Sequence, residues 1–90
     1  MEWRDVTTYE RGHGRIPKTW AVKVGPVVGE ITVTCGHINY RGTWIMHCYP
    51  LWIDTKPLNA TTKEEAQQEA LSIVKAKAQA ILKELTEAEV

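Results

Sequence analysis

Ninety residues make one small domain, with equal numbers of acidic and basic side chains and an ordinary apolar content. That balance excludes a chain disordered throughout, and it argues against a dedicated non-specific DNA binder, which carries a large positive excess. Charge is nonetheless distributed: residues 1–60 hold seven Lys and Arg against five Asp and Glu, and residues 61–90 hold four against six. No run approaches membrane-spanning length and no signal peptide opens the sequence. A cytoplasmic protein with its two cysteines reduced is therefore expected.

In chain order, residues 3–9 read as an edge strand, with Trp3, Val6 and Tyr9 set among threonines. Residues 10–18 (ERGHGRIPK) read as a loop, with glycines flanking His13 and Pro17 stopping any regular element. With Lys23 this is the most basic stretch. Arg11, Arg15 and Lys18 are candidate contacts to phosphates or to an acidic protein surface. No phosphate-cradling glycine pattern is present. Residues 19–24 alternate, with Trp20, Val22 and Val24 on one side and Ala21 and Lys23 on the other, and predict a strand.

The segment from Ile31 to Tyr49 predicts the central hairpin. Ile31, Val33 and Cys35 alternate with Thr32 and Thr34, and residues 43–49 are rich in strand formers. Asn39, Tyr40, Arg41 and Gly42 supply turn chemistry between them. A two-residue turn at Arg41-Gly42 pairs Cys35 with Cys48; a three-residue turn pairs Cys35 with His47, and both registers stand. Trp44 and Met46 share one face of the second strand, Ile45 and Tyr49 the other. One face meets a helix. The other is a candidate contact surface, with Tyr40 and Arg41 at the tip and Trp44 and Tyr49 if the open face is used.

Cys35, His37, His47 and Cys48 suggest zinc, but adjacent strand residues point to opposite faces, so at most three converge. A Cys–His nucleophile pair lacks a third group to orient it. No metal, cofactor or catalytic residue is expected, and the cysteines read as core packing. Pro50 ends the ladder. Residues 51–53 read as a strand continuation, in which Trp52 needs cover. Pro57 and Asn59 mark a turn.

The last element is a helix over residues 63–85. Thr61 with Glu64 and Thr62 with Glu65 form overlapping capping boxes, and no Gly or Pro interrupts. Ala66, Ala70, Ile73, Val74, Ala78, Ile81 and Leu85 form one stripe, with Leu71 and Leu82 at its flanks. Some 23 residues span about 35 Å, longer than the strands, so about two turns overhang the sheet. Ile81, Leu82 and Leu85 are then covered either from the same chain, by the N-terminal strand, Trp3 or Trp52, or, as favoured, by a homodimer or another partner.

These elements predict an α+β fold: an antiparallel meander of three to five strands with one long C-terminal helix on one face. Several strands followed by TTKEEAQQEAL, over residues 20–85, resemble the layout of small phage-encoded accessory proteins, including inhibitors of host defence. The layout is also similar to the three-strand-plus-helix arm-binding domains of phage integrases. The resemblance implies a small non-enzymatic binding protein that occupies a macromolecular partner, in the host cytoplasm if phage-encoded. The alternative is a nucleic-acid-binding module using residues 11–23 and the open sheet face.

Overall fold

The computed structural model describes residues 2–8 and 17–88. Five strands form one antiparallel sheet in sequential order: β1 (Arg4–Asp5), β2 (Thr19–Gly25), β3 (Gly29–Thr34), β4 (Ile45–Cys48) and β5 (Ile53–Pro57). A single helix, α1 (Lys63–Ala88), follows. This is the α+β meander with one C-terminal helix that the pattern predicts.

Strand alternation divides the sheet into two unlike faces. Val22, Ile31, Val33, Met46 and Cys48 form a core with Trp44, Leu51, Ile53, Leu58 and the helix residues Ala66, Ala70 and Val74. The pairs Thr19–Thr34, Ala21–Thr32, Thr34–Ile45 and Thr32–His47 lie on the opposite, helix-free face. Half of the residues in these pairs are threonines, and the aromatic part of that face is reduced to His47 with Tyr49 stacked on it. Trp44 is 9% exposed and belongs to the helix-side core, which removes it from the contact residues.

The central hairpin is wider than its turn residues suggest. Thr34 pairs with Ile45 and Val33 with Met46, so neither expected register holds, and residues 35–44 form a ten-residue loop. Two successive turns close it: the Tyr40 N–H donates to the His37 carbonyl and the Thr43 N–H to the Tyr40 carbonyl, both at 3.0 Å. Gly42 supplies the positive φ (79°) that the second turn needs. Both cysteines are free thiols.

At the N-terminal edge Arg4 and Asp5 pair with β2, and the Val6 N–H adds a bond to the Thr19 carbonyl at 2.9 Å. Thr7 ends the ladder, because its Oγ1 accepts the N–H groups of Lys18 and Thr19 while Asp5 accepts the Thr7 N–H. Tyr9 lies outside the described residues. After β4 the chain makes a 3₁₀ turn (Tyr49–Leu51) with Pro50 inside it. It then reverses at Trp52 into β5, where the sequence pattern predicts a continuation followed by a turn.

Helix α1 starts at the expected residue, but with one shared cap in place of two boxes, since Thr61 bonds Glu65 and not Glu64. The Thr62 Oγ1 accepts the Glu65 N–H at 3.2 Å, and the Glu65 carboxylate accepts the Thr61 N–H at 3.0 Å. Leu58 is tied to Trp44 and Lys63 Nζ sits 4.3 Å from the Trp20 ring centre, so the helix begins beside the 35–44 loop. It runs toward the other end of the sheet, where Ile73 and Ala76 meet Trp52 and Ile53. Twenty-six residues span about 39 Å, and the 14 beyond Val74 project about 21 Å. Ile81 is half-buried, whereas Leu82 and Leu85 are 64% and 59% exposed.

Ala66 and Ala70 are fully buried where the helix meets the sheet. Replacing Ala70 with Leu is expected to destabilise the fold by about 1–3 kcal/mol, since a close-packed contact has no room for three more carbons. Ala80→Leu, at an exposed position of the same helix, is expected to stay within about 0.5 kcal/mol. Urea denaturation followed by circular dichroism distinguishes the two.

Candidate functional site

The two ends of the sheet carry different chemistry. At the loop end, the Cys35 N–H donates to the Lys18 carbonyl at 3.0 Å. Gly36 sits so close that a Cβ there would lie 3.0 Å from the Lys18 side chain. This brings Lys18 beside the 35–44 loop, which contains no acidic residue. Within the loop, Tyr40 meets His37 edge-on, with ring centres 5.4 Å apart. Arg41 is exposed and Ile38 is 73% exposed. Of the predicted contact residues, Lys18, Tyr40 and Arg41 are thus gathered at one end; Arg11 and Arg15 lie outside the described residues.

The opposite end holds a feature that the sequence pattern does not reveal. Trp52 is 91% exposed, not covered. Its backbone is left-handed (φ 62°), held by its N–H donating to the Tyr49 carbonyl at 2.9 Å. Pro50 tightens the 3₁₀ turn, and the chain can then reverse only through a residue with positive φ. A bulky side chain in that region is a rare arrangement. Beside it opens a groove of about 540 Å³, lined by Trp52, Ile53, Asp54, Lys56, Ile73, Ala76 and Lys77. The groove arises where α1 leaves the sheet. The one sequence signal for it is an apolar Trp-Ile pair soon after a proline.

Tyr49 and His47 stack next to this turn, ring centres 5.5 Å apart. His47 Nδ1 lies 3.0 Å from Asp54 Oδ1 and 3.1 Å from the Thr55 N–H. The two contacts exclude each other. An unprotonated Nδ1 accepts from Thr55, whereas a protonated Nδ1 donates to Asp54. Thr55 is itself left-handed (φ 48°), at the bulge where the β4–β5 register shifts between Met46 and Cys48. The cluster rigidifies the edge that presents Trp52.

Cys48 is a poor reagent. Cys48 is fully buried with its Sγ 3.6 Å from the Val28 carbonyl, and burial pushes its thiol up despite a backbone hydrogen bond from Leu51. His47 points to the other face of the strand. Among the described residues no three potential metal ligands come together, and no helix is long and apolar enough to cross a membrane. No protein-family model, no curated protein and no solved structure matches this chain.

The Thr55 hydroxyl, and then His47, hold the Asp54 carboxyl below its usual range. A carboxyl whose folded pKa is depressed stabilises the fold above its unfolded pKa, and that contribution fades as pH falls through the folded pKa. Asp54→Asn is therefore expected to unfold at lower urea than the native chain at pH 7. The gap between the two should close as pH drops below about 4, the unperturbed carboxylate value. Paired urea titrations at several pH values check it.

Proposed function

We propose that this chain is a small non-enzymatic binding protein that acts by occupying a protein partner, as an inhibitor or adaptor. The observation that carries the reading is Trp52, an indole 91% exposed, held in a left-handed turn at the mouth of a groove lined by apolar and charged side chains. An isolated exposed Leu means little, but a rigid exposed Trp beside a concavity is the kind of anchor that dominates interface energetics. Ile53, Ile73 and Ala76 form the apolar lining, and Asp54 and Lys56 add charge for orientation. This is the mode of action implied by the resemblance to phage-encoded inhibitors. The unactivated Cys48 thiol supports binding over catalysis, as does the lack, among the described residues, of three potential metal ligands brought together.

The test is Trp52→Asn, since Asn tolerates left-handed backbone. A partner recovered with the native chain and identified is titrated against both proteins. The melting midpoint should be kept while affinity falls roughly 30-fold or more, the effect of removing an anchor worth about 2 kcal/mol. Unchanged affinity overturns the assignment to Trp52.

A second reading has its own observation: Lys18 stands beside the 35–44 loop, which carries Tyr40 and Arg41. A cation–aromatic cluster of this kind suits a single-stranded nucleic acid. It predicts oligonucleotide affinity that falls linearly with the logarithm of salt concentration. Lys18→Ala, Arg41→Ala and the Arg11→Ala/Arg15→Ala pair should each reduce the slope by about one for every phosphate no longer neutralised. Affinity insensitive to salt rejects it.

A further inference from the structure

The second half of α1 carries a pattern that packing on its own sheet uses only in part. Leu71, Val74, Ala78, Ile81, Leu85 and Ala88 recur at spacings of 3, 4, 3, 4 and 3, the a/d seam of a two-stranded coiled coil. The core takes Val74 and packs in part against Leu71 and Ile81, and it leaves Ala78 and Leu85, with Leu82 at the flank, open. Lys77 and Glu84, seven residues apart, share one flank of the seam, and neither has an ion-pair partner among the described residues.

The charges select an orientation. Lys75 and Lys77 stand at the root of the overhang, Glu84 and Glu87 near its tip, and Lys83 is the exception. In a parallel pair Lys77 would flank Leu82 of the other copy, and each acidic tip would lie against the other. In an antiparallel pair Lys77 of each copy faces Glu84 of the other, twice by symmetry. The helix end asks for the same thing. A C-terminal turn is stabilised by cations, yet this one has none and carries Glu87. An antiparallel neighbour brings its Lys75 and Lys77 toward that end.

We propose that α1 is a self-complementary dimerisation element: two overhanging halves pair antiparallel, Ala78 opposite Ile81 and Lys77 facing Glu84 across a two-fold axis. Small opposes large in the central layers, and the Lys75 stem lies over Leu82 of the second copy. The overlap of about a dozen residues is short, so the dimer is concentration-dependent and weakens with salt. Trp52 itself takes no part in it, although Lys77 also lines the groove beside Trp52.

Sedimentation equilibrium of the full chain at low salt, across a concentration series, tests it. The native chain should pass from monomer to dimer. Lys77→Glu and Glu84→Lys, each creating two like-charge pairs, should weaken association at least tenfold, and K77E/E84K together should restore it. Trp52→Asn should dimerise as the native chain does, which separates this interface from the proposed anchor. A monomer at every concentration overturns the proposal and leaves the seam to a different protein. A dimer indifferent to the single reversals overturns the antiparallel arrangement.

Discussion

Three small side chains set the geometry of the whole molecule. Ala66, Ala70 and Val74 are the buried residues of α1, and they place it against β3, β4 and the 3₁₀ turn. Alanine at a helix–sheet contact allows close approach, and close approach shields Val22, Ile31, Val33 and Met46 with a single helix. The same contact fixes the direction of the helix. Strands of four to seven residues support roughly 13–24 Å of it, and the rest must leave the sheet. The departure creates two features at once: the groove beside Trp52, lined where Ile73 and Ala76 diverge from β5, and the open seam beyond.

Backbone strain is concentrated on the β4–β5 side. Trp52 and Thr55 are the two non-glycine residues with positive φ among the described residues, and they lie three positions apart. Each costs on the order of 1–3 kcal/mol, so the surroundings must over-determine them. Pro50 and the Trp52 N–H bond hold the first, and the His47–Asp54–Thr55 cluster holds the second. Relaxing Trp52 to an extended backbone would carry the chain onward, as the strand-like run 51–53 suggests, and would cost β5 its pairing with β4. The exposed indole is therefore a consequence of the reversal that completes the sheet.

Much of the fold is legible in the sequence because it rests on local signals. The capping threonines and the Gly- and Pro-free run from Lys63 give α1 its start, and the overhang follows from length alone. Alternation in β3 places Ile31 and Val33 inward as they are found, whereas in β2 it is only partly followed, because Ala21 is buried as fully as Val22 and Val24 is exposed. The errors share a cause. Asn39 and Gly42 do mark a turn, but Thr34–Ile45 pairing is set by which side chains reach the core, and the ten residues between are spent on two turns instead of one. Thr7 ends β1 through its side-chain oxygen, which no periodicity records. Trp44 and Trp52 have similar apolar neighbours in sequence, yet one is buried and the other exposed; left-handed φ at Trp52 is a tertiary fact. Lys18, Tyr40 and Arg41 can be named from sequence, but their proximity depends on one backbone bond from Cys35.

How the sheet ends bears on how it can bind. An open meander has two edges, and unpaired strand edges invite strand addition. Here β1 is two residues long, and Arg4 reaches across to Glu30 at 2.6 Å, placing a charge pair over that edge. On β5, the Leu58 N–H donates to the Trp44 carbonyl, so positions 56 and 58 face β4 and Pro57 falls outward, where it has no N–H to offer. The Thr55 N–H turns inward to His47. The outer side of β5 is thus stripped of the donors that a docking strand requires. Strand addition is thus disfavoured at that edge, and the side chain placed most openly beside it is Trp52.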